Sequence, residues 1–195
     1  MNLQKLFELQ RQLDEHIEKE HPRQPGEDRL AKKILALQVE LGELCNCWRG
    51  FKFWSHGQEP TIFGYKECPC GIDYGTCDEY GCADGLLAYN PLLEEYVDCL
   101  HFILSIGIEF NQMDVDSWFV KHNISVYKSH DVIKQFNDVF KYIQDFYEWR
   151  DDESYEELFY GYFALGEMLG FSWQEIEEAY LQKNAVNHQR QESGY

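Results

Sequence analysis

The chain has 195 residues, 44% hydrophobic and 16% aromatic, which is enough apolar material for one substantial core and too much for a disordered polymer. Its 35 acidic against 17 basic residues give a formal charge of −18, which repels nucleic-acid backbones and anionic membrane surfaces, so neither class of partner is expected. No stretch approaches the roughly 20 apolar residues that span a bilayer. The amphipathic, charged start MNLQKLFELQRQLDEHIEKEH is unlike a secretory signal, and a single cytoplasmic domain over 1–195 is the expectation.

In chain order, Leu3, Leu6, Phe7, Leu13 and Ile17 recur near helical period behind Asn2, a good N-cap, so the spacing predicts a helix over 2–20. The turn-rich HPRQPGED separates it from a second helix, Leu30 to Trp48. From Ser55 to Tyr89 glycines, prolines and cysteines break every periodicity, which reads as a long insertion. Asn90-Pro91 restarts a helix, cap then proline, that runs to about Asn111. NQMDVDSWFVKH and VIKQFNDVFKYIQDFYEW carry large apolar residues at i, i+3, i+4 and predict two more helices within 114–150. Ser154 with Glu157 and Ser172 with Glu175 fit capping boxes, placing helices at about 155–168 and 173–190. No segment shows a strand pattern. The expected class is all-α, a helix bundle with a Cys-rich loop insertion.

Two of these helices carry paired acids. Glu40 and Glu43 share the second helix with Leu37, Leu41 and Leu44, and Glu95 and Asp98 sit in the apolar run LLEEYVDCLHFILSIG. Acids three apart stand about one turn from each other and can reach one ion. Most such pairs are solvated faces, but here both lie in the most apolar helices, where unpaired charge is costly. If the helices pack antiparallel, four carboxylates converge. Oxygen donors of this kind suit magnesium or manganese. Glu-x-x-His, the register of di-iron bundles, is absent from both pairs.

The phrases ELGELCNCWRGFKFW, EEYVDCLHFILSIG and KNAVNHQRQESGY resemble the dimeric all-α dUTP pyrophosphatases, relatives of the MazG-like nucleotide pyrophosphohydrolases. The ExxE and ExxD pattern alone points to the superfamily; its combination with FKFW, LHF and KNxxNxxRQxxGY is more specific. Residues 55–89 and 114–170 carry little of the match. The resemblance implies a cytoplasmic homodimer that hydrolyses dUTP, with dUDP as a further substrate, to dUMP and pyrophosphate. Glu40, Glu43, Glu95 and Asp98 would bind Mg2+, for which Mn2+ can substitute, with Glu40 positioning or deprotonating the water. Lys183, Asn187 and Arg190 share a face of the last helix and would meet the phosphates, with Lys52 a further candidate. Gln10, Asn46, Trp54, His101 and Phe102 would form the base side, since an amide serves a uracil edge and an aromatic ring a stacking face. Phe102 and Trp54 read equally as core, and His101 as a satisfied core histidine.

Cys68, Cys70, Cys77 and Cys82, spaced C-x-C-x6-C-x4-C among glycines, fit a structural zinc site in an insertion with almost no apolar material of its own; free thiols or disulfides are the alternatives. No such knuckle belongs to the family pattern. Cys45, Cys47 and Cys99 read as small core residues. The acid quartet serves triphosphates generally, so a pyrophosphohydrolase of other base preference, dCTP-directed or broad, stays open. A non-catalytic nucleotide-binding or regulatory protein stays open as well.

Overall fold

Helix N-termini in this chain are closed by side-chain acceptors placed where the periodicity begins. A computed structural model describes residues 2–68, 75–77, 82–111 and 128–194, with Cys77 and Asn111 as backbone only. Among the described residues are six helices: α1 (Leu3–Glu20), α2 (Arg29–Trp48), α3 (Pro91–Asn111), α4 (Val132–Trp149), α5 (Asp152–Met168) and α6 (Trp173–Glu192). The chain is all-α in class. Asn2 accepts from the Lys5 amide, Asp28 from Ala31, Asn90 from Leu93 and Asp131 from Lys134, each satisfying an amide that has no partner in the first turn. Ser172 and Glu175 form the expected capping box of α6. The box expected at Ser154 is displaced. Asp151 is the cap of α5, and its carboxylate accepts from both the Ser154 amide (2.9 Å) and the Ser154 hydroxyl (2.6 Å). A carboxylate outcompetes a serine hydroxyl as acceptor, so the helix begins at Asp152 rather than 155. The helix expected in NQMDVDSWFVKH lies outside the described residues, apart from Asn111 at the end of α3.

The absence of strands expected from the sequence is corrected by a small antiparallel sheet within 64–89. It comprises β1 (Gly64–Glu67), β2 (Thr76–Cys77), β3 (Cys82–Ala83) and β4 (Leu86–Tyr89), in the order β1-β4-β3-β2. β1 and β4 pair from Gly64 opposite Tyr89 to Glu67 opposite Leu86. Strands of two to four residues are too short to display a period-2 hydrophobic pattern, and Tyr65 and Leu86 are exposed. Backbone pairing holds this sheet, and no apolar face announces it.

α3 is the central helix, packing against α1, α2, α5 and α6. Leu37, Leu41 and Leu44 of α2 and Val97, Leu100 and Leu104 of α3 are fully buried, the interlocking apolar stripes their spacing implies. α5 is buried nearly all round, through Leu158, Phe159, Tyr162, Phe163 and Leu165. Tyr162 stacks on Tyr96 of α3 with centroids 4.5 Å apart and donates its hydroxyl to the Tyr96 carbonyl. The C-terminal end of α2 is tied to the start of α3 through one residue: the Thr61 amide donates to the Cys47 carbonyl (2.8 Å), and the Leu92 amide donates to the Thr61 carbonyl (3.1 Å). α2 and α3 thus run antiparallel. No helix among the described residues is long and apolar enough to cross a membrane.

Candidate active site

The antiparallel α2–α3 pair sets the two acid motifs against each other. Glu40, Glu95 and Asp98 each place a carboxylate oxygen so that the three lie within 4.8 Å of one another, and all three side chains are half-buried. Glu43, a turn further along α2, is more exposed and stands outside that close group, although its charge still acts on it. Burial pushes the Glu95 carboxyl up to about 7, and the charges of Asp98, Glu43 and Glu40 add to the effect. Burial, then Asp98 and Glu43, raise Glu40. Asp98 is raised by burial against the pull of Lys183. Three oxygen donors that repel one another at this range, with Lys183 offsetting only part of their charge, form a cage of excess negative charge, which is what a hard divalent cation relieves. The donor set and spacing therefore fit magnesium or manganese.

Lys183 of α6 closes one side of the cluster. Its ammonium donates to Asp98 Oδ2 (2.6 Å) and Glu94 Oε1 (3.2 Å) and is only 12% exposed. Lys66 of β1 donates to the other Glu94 oxygen (2.7 Å) and lies over the Tyr89 ring, 4.7 Å from its centroid. Burial raises the Glu94 carboxyl, but Lys66 and Lys183 outweigh it and hold the group below its ordinary value. Glu94 and Lys66 were not among the expected site residues. The signal for Glu94 was its place directly before Glu95 in EEYVD; for Lys66 no sequence signal existed, because its reach depends on the β1–β4 pairing.

Gln10 and His101 come together, but beneath the surface. Gln10 Oε1 accepts from His101 Nδ1 (2.8 Å) and from the Tyr180 hydroxyl (2.9 Å), and Gln10 Nε2 donates to Asp14 Oδ1 (2.7 Å). Tyr180 stacks on the imidazole with centroids 4.2 Å apart. Burial drives the His101 pKa down to about 3, so the ring is neutral. With Nδ1 donating, its buried Nε2 is an acceptor that has no partner among the described residues. Asn184 of α6, next to Lys183 in the chain, has a buried amide nitrogen, a donor that meets no acceptor within hydrogen-bond distance among the described residues. Asp14 also accepts from Ser105 (2.6 Å) and Lys33 (3.1 Å), and Lys33 and Arg23 both reach Glu109, so the Gln10 amide is oriented by a chain of charged partners through α1, α2 and α3.

The remaining expected residues divide. Phe102 is half-buried against the core and Asn187 is half-buried on α6. Asn46 and Arg190 are exposed. Lys52 lies over the Phe51 ring (5.6 Å). Trp54 is 66% exposed and meets Phe51 and Phe53 edge-on, so it is an outward-facing aromatic and not core. An open groove lined by Trp48, Gly50, His130 and Val132 contains none of the clustered acids.

A family described as dUTPase matches residues 2–67 and 86–195. The chain belongs to the dUTPase family. The match is wider than the sequence phrases implied, since it takes in 55–67, 86–89 and all of 114–170. As a dUTPase the chain is a hydrolase acting on dUTP. No curated protein matches it. The segment the family leaves out, 68–85, holds all four cysteines of the knuckle. Cys68 and Cys82 are buried and share a small cluster with Leu87, separate from the main core; Cys77 is opposite Cys82 across β2–β3; Cys70 lies outside the described residues. Cys99 is fully buried, Cys45 and Cys47 pack against the core, and burial pushes the Cys45 thiol up to about 12, which leaves it an inert packing group.

Proposed function

We propose that this dUTPase is a magnesium-dependent homodimer that cleaves dUTP, and dUDP as a second substrate, to dUMP, releasing pyrophosphate from dUTP. The observation that carries this reading is the approach of Glu40, Glu95 and Asp98 within 4.8 Å, from two helices that both lie inside the family match. Glu43 joins them from one turn along α2. A divalent ion supplies charge neutralisation on the phosphates and acidification of water. Glu40, raised by burial and its neighbours, is the carboxylate suited to orient the attacking water and take its proton. Lys183, already close to the acids, turns its ammonium to the phosphates, and Asn187, Arg190 and Lys52 provide the outer polar contacts that a chain of charge −18 owes an anionic substrate.

On the base side, the neutral His101 offers an acceptor at Nε2, Gln10 fixes its tautomer, Phe102 supplies an apolar wall, and Asn46 and Trp54 complete the pocket from the end of α2. Trp54 and Phe53 are well exposed, as surfaces that a ligand or second protomer covers would be. The test is pyrophosphate release from each deoxynucleoside triphosphate with and without magnesium, comparing the native chain with Glu95→Gln and Glu43→Gln. We expect preference for dUTP, dependence on magnesium, and losses of at least about a hundredfold in both variants, because each removes a negative oxygen where charge is being balanced. Equal turnover of dUTP and the other deoxynucleoside triphosphates removes the uracil assignment, and unchanged variants remove the site.

A further inference from the structure

We propose that Lys66, delivered by β1, binds the terminal phosphates of dUTP, an assignment that rests on the reading above of the α2–α3 acids as the catalytic centre. Strand geometry explains how a hairpin residue reaches a helical site. Gly64 and Lys66 lie on one face of β1, since alternate residues share a face, and Gly64 is opposite Tyr89 of β4. A Cβ at Gly64 would come within 3.0 Å of the Tyr89 ring and 3.2 Å of Pro91. The glycine thus leaves the ring room to lie across β1, where the Lys66 ammonium stands 4.7 Å from its centroid. That ammonium donates to Glu94 Oε2 (2.7 Å), while Lys183 donates to Glu94 Oε1 (3.2 Å) and to Asp98 Oδ2 (2.6 Å). One carboxylate therefore fixes two cations beside the acid cluster. The Tyr89 phenol is close enough to Glu94, Glu95 and Lys183 to feel their charges, which brings the end of the hairpin stem to the same place. Both strands of that stem, β1 to Glu67 and β4 from Leu86, fall within the family match.

Position along α3 assigns the part of the substrate. Glu94, Asp98 and His101 are spaced i, i+4, i+7 and share a helix face; at about 1.5 Å of rise per residue, Glu94 stands roughly 10 Å along the axis from His101. With the base at His101 and the acids between, the phosphate chain runs toward the first turn of α3, and its far end arrives where Lys66 and Lys183 flank Glu94. Lys183 is 12% exposed and committed to Asp98, whereas Lys66 is 40% exposed. An ammonium carries three donors and Glu94 takes one, so Lys66 meets a phosphate oxygen without leaving its carboxylate. Glu94 is the positioning residue that holds it there. The charge Lys66 meets belongs to the pyrophosphate end of dUTP and is absent from dUMP, so the lysine discriminates between the two products.

The test compares binding of the two products. Native protein, Lys66→Met and Lys66→Arg are titrated calorimetrically with inorganic pyrophosphate and with dUMP, each in magnesium, and kcat/KM for dUTP is measured alongside. Methionine keeps the length of the side chain and removes its charge, so the strand pairing and the helical content should be those of the native chain. We expect Lys66→Met to lower pyrophosphate affinity and kcat/KM for dUTP by about tenfold, the scale of one hydrogen bond to a charged group, and to leave dUMP affinity unchanged. Lys66→Arg should recover most of both losses, which a purely structural role for the lysine would not separate by product. Unchanged pyrophosphate affinity in Lys66→Met overturns the inference, as does an equal loss for dUMP or a native chain that binds no pyrophosphate. The reading beneath it fails differently: it falls if the native chain releases no pyrophosphate from dUTP, whereas native turnover with an unaffected Lys66→Met removes the role of Lys66 alone.

Discussion

The Glu95 carboxyl, held near 7 by burial and by Asp98, Glu43 and Glu40, makes two opposite predictions for one substitution. A carboxyl raised from 4.5 in the unfolded chain to about 7 in the fold contributes stability that is fully present below 4.5 and lost as pH rises through 7. In metal-free protein, Glu95→Gln should therefore gain thermal stability relative to the native chain as pH climbs through that window, while losing activity. Melting curves in chelator from pH 4.5 to 8 check this, and a constant difference across the window contradicts it. Lys183 gives the converse. It is the charge partner of Asp98 and Glu94, so Lys183→Met should cost about 2 kcal/mol in chelator, the scale of hydrogen bonds to charged groups. The deficit should shrink in saturating magnesium, because the ion takes over the counter-charge. Parallel denaturant titrations measure both.

Among the elements, α3 sets the tolerances. A Cβ added at Gly107 would run into the Tyr155 phenol, whose ring is fully buried and whose hydroxyl donates to the Ile103 carbonyl at 3.0 Å, leaving it no room to give. Gly107→Ala should destabilise by about 1–3 kcal/mol, read as a shift in denaturant midpoint; a neutral result would mean α3 and α5 pack less closely than described. The helices were legible because each carries its own signal, an apolar stripe and a side-chain cap: Asn2, Asn90-Pro91 and the Ser172–Glu175 box all mark real starts. Ser154 misled because its hydroxyl serves the helix from inside, answering Asp151. The sheet was illegible because its strands are held by backbone pairing without an apolar face. Of the candidate site, the approach of Glu40, Glu95 and Asp98 follows from acids three apart in apolar helices, with Glu43 standing outside the close group, whereas Lys66 and the Gln10–His101–Tyr180 contact depend on how distant elements meet.

For the whole molecule, a dUTPase of charge −18 must receive a triphosphate, and on the proposed reading it does so where the clustered acids of α2 and α3 stand beside Lys66 of β1 and Lys183 of α6. Leu35 and Val39 on α2, and Phe53, Trp54, Phe63 and Tyr65 at its end and on the hairpin, are exposed apolar side chains of the kind a second protomer covers in the proposed dimer. Sedimentation at micromolar concentration should give twice the mass of one chain, with Val39→Lys shifting the equilibrium toward single chains. A native protein that sediments as a monomer contradicts the dimer.

The most direct measurement is a crystal structure with manganese and a non-hydrolysable dUTP analogue, using the metal's anomalous signal. The expected result is anomalous density between Glu40, Glu95 and Asp98, with Glu43 drawn in and the phosphates facing Lys183. Manganese found only at scattered surface acids, with α2 and α3 carboxylates turned apart and the analogue bound elsewhere, would contradict a catalytic centre built on these two helices.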